Sequence, residues 1–419
     1  MVEIGGVRSE NKSVKDVSIN HATINDVSAI DTSSKKKKLL IATDNFLPRW
    51  DGIARFLSVI IPSLKEDYEI TVIAPKFGAY TSNGFKLIQL PLGKRGLGDY
   101  KGAKINFSSM KTIRSAVRNA DLVFSQTIGP VGFLTVYYAK RYRIPIASFI
   151  HSVEWELVPL ATEKTLLKRI LYPIVKQITR FTYNRGNLLL VPAENIAELI
   201  TWKKIKTKKK IVHLGVDSDV FRPFEEKSME EKERINTIRD ALGLKNEFVV
   251  GYHGRIANEK DLLTLLRAFN WLRKNHDDVK LLIVGEGVQS VKDKLNATDG
   301  VILPGAKNNA QDYLALMNVY VTPSLTETTS LTTLEAMACG LPVISTPVGF
   351  IKEYIHNEYN GLIFPKMNAY KLYKDIALIK KNPQLAALYG SRARKTVLKE
   401  FQWSKTIDEI KSALKSIER

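Results

Sequence analysis

The sequence predicts two α/β domains in tandem, each a parallel sheet covered by helices on both faces. Apolar runs of strand length alternate with amphipathic runs of helix length, the signature of a parallel sheet with crossover helices. That alternation restarts after a basic segment, Lys203–Lys210, which reads as an interdomain connection. At 419 residues the chain is also long enough for two cores.

Residues 1–34 are rich in Ser, Asn, Asp and Val without a helical period, and read as a disordered tail. The first domain spans residues 35–205. It opens with the buried strand Leu39–Ala42, then the loop Pro48–Gly52 and a helix reaching Leu64. Strands follow at Glu69–Ala74, Phe85–Leu90, Leu122–Ser125, Ile144–Ile150 and Leu188–Val191. Helices lie between them at Ser109–Asn119, Gly132–Arg143 and Glu163–Tyr183, where Pro173 predicts a kink or a division. The second domain, residues 206–399, has strands at Phe248–Gly251, Lys280–Val284, Val301–Leu303, Val319–Val321 and Val343–Ser345. Its helices include Asp261–Asn275, Ala310–Met317 and one starting at Thr332 with its stop at Gly340. Residues 400–419 read as a closing amphipathic helix with Ile407, Ile410 and Leu414 on one side.

Composition narrows the function. The single cysteine, Cys339, excludes an intrachain disulfide, and the six histidines show no metal-ligand spacing. The net charge of +20 is concentrated in the first half: residues 1–205 carry +13 and the remainder +7. A basic surface suits anionic lipid, phosphorylated substrates or nucleic acid, but no RNP-like, KH or zinc-finger pattern supports a nucleic-acid partner. No secretory signal and no membrane span is expected.

In open α/β sheets ligands bind outside the carboxyl ends of the strands. Asp44, His151, Arg255, Glu286 and Glu327 all follow predicted strands, so they are expected to share one cleft. Glu327 and Glu335 flank a helix start with seven residues between them, and Thr329 or Ser330 can cap that helix. The free backbone N–H groups there make an anion site. Glu335 has no Lys or Arg within four residues, and an unpaired buried charge costs several kcal/mol, so it either caps a nearby backbone amide or is a group that function requires. Gly254-Arg255, with Lys260 five residues on, places two cations on a loop that opens a helix, an arrangement suited to a diphosphate. Asp51 is either an acceptor contact or a turn residue, and Gly52 admits a close backbone approach.

The run from Glu327 through Glu335 to Ala336-Met-Ala-Cys-Gly-Leu-Pro-Val343 resembles the signature of the retaining GT-B glycosyltransferases of family 4. Gly254-Arg255…Lys260, His213–Asp217, Val284–Gly287 and Asn360–Pro365 resemble other segments of that family. The likeness covers about residues 38–415, with Asp261 where the family usually has glycine and Thr328-Thr329-Ser330 where Gly-Phe-Gly is common. It implies two Rossmann-like domains facing across a cleft, with the closing helix crossing back to the first. It implies that Arg255 and Lys260 hold the donor diphosphate without a metal and that Glu335 accepts from the ribose hydroxyls. Glu327 would then face the donor sugar, with residues 328–331 (Thr328, Thr329, Ser330, Leu331) presenting backbone N–H groups, and His151 near the reacting centre.

Thr326-Glu-Thr328 resembles the members that glycosylate membrane lipids. The expected reaction is therefore sugar transfer from a nucleotide-sugar to a lipid or glycan hydroxyl, with no cofactor, at the cytoplasmic face of the membrane. A GT-B nucleotide-sugar epimerase is the alternative. The helix Glu163–Tyr183 adds a membrane expectation. Leu166, Leu167, Ile170, Leu171, Ile174, Ile178 and Phe181 fall on one side and Lys168, Arg169, Lys176 and Arg180 largely on the other. Its apolar side either meets an anionic membrane or packs on the sheet.

Overall fold

The computed structural model describes residues 36–49, 51–93, 102–160 and 165–418. The tail expected over residues 1–34 and the helix start at Glu163 lie outside them. The first half runs β1 (Lys37–Ala42), α1 (Gly52–Leu64), β2 (Tyr68–Pro75), β3 (Lys86–Leu90), α2 (Phe107–Arg118), β4 (Leu122–Ser125) and α3 (Pro130–Arg141). It continues with β5 (Ile146–Phe149), α4 (Glu154–Leu160), α5 (Thr165–Tyr183), β6 (Leu188–Val191), α6 (Glu194–Trp202) and β7 (Lys209–Ile211). Its seven strands are all parallel, in the order β3-β2-β1-β4-β5-β6-β7. Leu39, Ile41, Val72, Phe124 and Ala147 are fully buried on this sheet, as strands covered on both faces must be.

The second half begins α7 (Met229–Ala241), β8 (Phe248–His253), α8 (Leu262–Arg273), β9 (Val279–Val284), α9 (Gln289–Asn296), β10 (Val301–Gly305) and α10 (Ala310–Leu314). It ends β11 (Val319–Thr322), α11 (Leu331–Ala338), β12 (Val343–Ser345), α12 (Ile351–Tyr354), β13 (Leu362–Ile363), α13 (Ala369–Lys381), α14 (Pro383–Glu400) and α15 (Trp403–Lys415). The six strands are parallel in the order β10-β9-β8-β11-β12-β13, the same winding as the first sheet. Each sheet reverses direction beside its first strand, between β1 and β4 and between β8 and β11. Those switch points are where a doubly wound sheet opens a crevice for ligand.

One reading needs correction, and of two alternatives one falls away. The basic segment Lys203–Lys210 is not simply a connection: Lys209–Ile211 forms β7, paired with β6 at the edge of the first sheet. Lysines at a sheet edge keep its open backbone in water, so a basic run is compatible with an edge strand. Pro173 does not divide α5, which runs unbroken from Thr165 to Tyr183. Pro173 lies on the exposed side, where water can serve the carbonyl that lost its N–H partner.

The closing helix crosses back. Ile410, Ala413 and Leu414 of α15 are buried in the first domain's core with Leu39, Phe56 and Ile60. Lys411 and Lys415 pair with Asp67, and Glu418 pairs with Lys37 at 2.9 Å.

Candidate active site

Both switch points contribute to one cluster. After β8 the chain turns through Gly254, at φ +143°, into Arg255 and the short 3-10 turn Asn258–Lys260. The loop after β9 presses on this turn: a Cβ on Gly285 would sit 1.8 Å from the Gly254 carbonyl oxygen, so no larger residue fits there. Ile256 N donates to Glu286 O at 2.8 Å and Val288 N to Ile256 O at 2.7 Å, locking the two loops together. The Arg255 guanidinium pairs with Glu259, and Leu325 N donates to Glu259 O at 2.8 Å.

The loop after β11 carries Glu327. Its carboxylate accepts from Lys260 Nζ at 2.5 Å and from Ser324 Oγ at 2.9 Å. The loop is held from behind: Phe350 N donates to Thr328 O at 2.6 Å and Tyr354 OH to Thr329 O at 2.7 Å. A Cβ on Gly349 would lie 2.0 Å from the Glu327 carbonyl oxygen, which fixes glycine at that contact. Thr328 Oγ1 donates to His151 O at 2.5 Å, tying the loop to the end of β5 across the cleft.

Ser330 stands at the N-cap position of α11 with φ +59°, but its hydroxyl meets Thr333 Oγ1 at 2.8 Å and caps no backbone group. Thr329 does not cap either; its buried hydroxyl has no partner among the described residues. The expected side-chain cap is therefore absent. The N-terminus of α11, beginning at Leu331, keeps its positive dipole end without a side-chain oxygen against it.

One turn into α11, Glu335 is 2% exposed. Its partner is Arg55, on α1 of the first domain. Burial pulls the Arg55 guanidinium down to about 10. The other Glu335 oxygen has no hydrogen bond among the described residues, although His253 Nδ1 lies 3.6 Å away. Burial, with Arg55 nearby, pushes His253 down to about 3, so it is neutral and the approach is not an ion pair.

His151 is likewise neutral, pushed down to about 3 by burial. Its ring packs against Phe149 and Phe56, with Nε2 2.9 Å from Gln126 Oε1. That oxygen can only accept, so the proton sits on Nε2.

Other candidates are placed differently. Asp51 caps α1, accepting from Ile53 N at 3.0 Å and Ala54 N at 2.9 Å. Burial raises its carboxyl, against the capping N–H groups and the charges of Arg49 and Arg255. A Cβ on Gly52 would meet nothing within 4 Å, so open space lies beside it. Asp44 is taken up within the first domain: it accepts from Thr127 Oγ1 at 2.5 Å, Val131 N at 2.9 Å and Gly132 N at 3.2 Å, holding the start of α3. Glu286 pairs with Lys292 on the surface and does not join the cluster.

Arg55, His253 and Glu259 were not singled out in the sequence. His253 was within reach of the strand-end rule, since β8 runs two residues past the expected Gly251. Arg55 carries no local signal of a partner 280 positions away. Among the described residues no group of three or more His, Cys, Asp or Glu could hold a metal ion.

Two doubly wound domains whose switch points meet through shared contacts define the GT-B class of enzymes. Comparison with known proteins gives the family. Residues 234–396 match the model of glycosyl transferases group 1, and residues 50–220 match that of glycosyltransferase family 4. The chain belongs to these glycosyltransferases.

It is 26% identical over 377 residues to the alpha-monoglucosyldiacylglycerol synthase of Acholeplasma laidlawii, covering 84% of this chain and 90% of that protein. It is 24% identical over 402 residues to the GDP-mannose-dependent alpha-(1-6)-phosphatidylinositol monomannoside mannosyltransferase of Mycolicibacterium smegmatis, covering 87% and 95%. The solved structure of Anabaena Alr3699/HepE with UDP and glucose superposes with a TM-score of 0.72, at 17% identity, over 91% of this chain and 100% of that one. The Acholeplasma and Mycolicibacterium proteins are a synthase and a transferase by name, which favours transfer over the epimerase alternative.

Proposed function

We propose that the enzyme moves a hexose from a nucleoside diphosphate sugar to a hydroxyl of a membrane lipid, with retention and without a metal. The observation that carries this reading is the Lys260–Glu327 contact at the second switch point, beside Arg255 and the uncapped start of α11. Two cations and a helix N-terminus suit a departing diphosphate, and preorganised charge of this kind is the largest contribution a protein makes to such a step. Glu335 is suited to the ribose hydroxyls, and its pairing with Arg55 would have to loosen or rearrange to admit them. Glu327 and the backbone of residues 328–331 are the groups suited to meet the sugar. Neutral His151, its Nε2–H turned to Gln126, can accept a hydrogen bond there through Nδ1 without adding charge.

The lipid reading draws on the relatives, whose names specify diacylglycerol and phosphatidylinositol derivatives. It draws also on α5. Leu166, Ile170, Ile174, Ile178 and Phe181 form an exposed stripe along it, Leu166 at 72%. Their exposure favours the membrane outcome of the two open in the sequence, with Leu167 and Leu171 half-buried. With Lys168, Arg169, Lys176 and Arg180 on the same helix, α5 suits an anionic membrane surface. No helix of the described residues is long and apolar enough to cross a membrane. The site would then work at the cytoplasmic face.

The test is mass spectrometry of products from UDP-glucose, UDP-galactose and GDP-mannose, each with a total lipid extract, with and without EDTA. A glycosylated lipid whose yield is unchanged by EDTA is expected. Loss in EDTA restored by Mg²⁺ or Mn²⁺ refutes metal independence; products confined to soluble acceptors refute the lipid reading.

A further inference from the structure

A cavity of about 600 Å³ opens between α4, α5 and the loop that leads into Glu327. Both domains wall it: Trp155, Pro159 and Tyr172 from the first, Leu325 and Thr326 from the second. Thr326 immediately precedes Glu327, and its hydroxyl donates to Glu156 Oε2 at 3.3 Å. The cavity therefore adjoins the candidate centre on the side where α4 follows His151.

Three cations line it from two elements that are distant in sequence. Lys168 and Arg169 come from α5, and Lys366 comes from the loop after β13. Glu156 is the single carboxylate residue among the described lining residues, so the wall carries a net positive charge. None of the three cations is ion-paired with a carboxylate among the described residues. Arg169 and Lys366 are exposed and Lys168 is half-buried, so water screens their mutual repulsion, and an anion seated between them gains from all three. A further donor waits in the same wall: Trp155 is 1% exposed, and its Nε1–H has no acceptor among the described residues.

We infer that this cavity seats the head of the acceptor and that the head carries a phosphate. The inference rests on the transferase reading above and adds the acceptor's chemical class. A phosphate offers three unesterified or two unesterified oxygens to cations arriving from separate directions. Arg169 supplies a planar fork, and the two lysines supply point charges. The volume accommodates a phosphate together with the polyol or sugar that bears the reacting hydroxyl. Trp155, Pro159 and Leu325 supply its apolar floor. Lys168, Arg169 and Tyr172 face this cavity, while Leu166, Ile170 and Ile174 stay exposed on the other side of α5, so one helix can rest on a bilayer and grip a headgroup.

Calorimetric titration of the whole protein tests this without depending on turnover. The probes are dihexanoyl phosphatidic acid, dihexanoylglycerol and glycerol 3-phosphate, with the wild type and the variants Arg169→Gln and Lys366→Gln. Phosphatidic acid is expected to bind at least about tenfold more tightly than dihexanoylglycerol, and each variant to lose about tenfold, as for one charge-assisted contact. Equal affinity for the two lipids, or variants that bind phosphatidic acid like the wild type, overturns the inference. Glycerol 3-phosphate binding as tightly as phosphatidic acid keeps the phosphate and makes its source a soluble one. Glycosylated neutral lipids in the product assay, with no phosphate-dependent binding, leave the transferase reading standing while this one falls.

Discussion

Replacing Arg55 by Met keeps the apolar stem of the side chain but removes the charge opposite Glu335. Glu335 is 2% exposed, and its second oxygen already lacks a partner among the described residues. Nothing else there can neutralise it, because His253 is itself uncharged at neutral pH. Stripping one partner from a buried ion pair costs about 3–5 kcal/mol. The Arg55 side chain is 21% exposed, which places the expected loss near the lower end, about 3 kcal/mol. Urea unfolding read by near- and far-ultraviolet dichroism measures it, provided the two signals coincide. The double variant Arg55→Met/Glu335→Gln removes the orphaned charge and is expected to be more stable than Arg55→Met alone. The coupling across the pair should fall within about 0.5–3 kcal/mol. A single variant within about 1 kcal/mol of the wild type, or a double variant whose loss equals the sum of its singles, refutes the argument. Because α1 and α11 belong to different domains, this pair is also a tie across the cleft.

Glu327→Gln and Arg255→Ala are each expected to lower transfer by roughly 10²–10³ with folding intact, and near-normal turnover by either folded variant refutes its assignment. The wild type should float with anionic liposomes at low salt, while a variant with Lys168, Arg169, Lys176 and Arg180 all changed to Gln should not; identical flotation removes α5 as the membrane contact. Stability should fall as pH drops below 6.5: His151 and His253 titrate near 3 in the folded chain, so only the unfolded chain takes up protons between 6.5 and 3, at about 1.4 kcal/mol per pH unit for each. Glu154, raised to about 7 by burial, acts in the opposite sense between 4.5 and 7, contributing stability that is lost as pH rises. Urea midpoints at pH 7, 6 and 5 should therefore show a flatter acid loss for His253→Gln and a steeper one for Glu154→Gln.

The elements most legible in the sequence are those whose two faces are both buried. Leu188–Val191 and Val343–Ser345 read as strands with their observed limits, because the first is a short apolar run between Asn187 and Pro192 and the second a short run opening after Pro342 on the β-branched Val343 and Ile344. β7 was hidden because half its character is that of an edge, Lys209-Lys210, where lysine means solvent and pairing at once. In the site, Glu327 was found because it follows a strand, and Lys260 because it shares with Arg255 a loop that opens a helix. Arg55 was not, because charge complementarity between residues 280 positions apart leaves no trace in either neighbourhood. Asp44 illustrates the converse. It follows a strand as a ligand-binding residue would, but the nearby start of α3 offered it backbone donors, and a carboxylate satisfied that way is a brace.

The return of α15 to the first domain sets an order on synthesis. Ile410, Ala413 and Leu414 complete a core whose other members, from Leu39 to Leu214, leave the ribosome about two hundred residues earlier. At roughly 5–20 residues per second, the first sheet waits on the order of ten to forty seconds with one apolar side uncovered. The second domain has no such gap, since its sheet and helices are contiguous from α7 to α14. The half that begins the polypeptide is therefore the half that finishes last. A chain truncated after Phe401 would keep that ring in the second domain's core with Phe350 and Tyr354, beside a first domain with a permanently open flank, the form on which chaperones and proteases act.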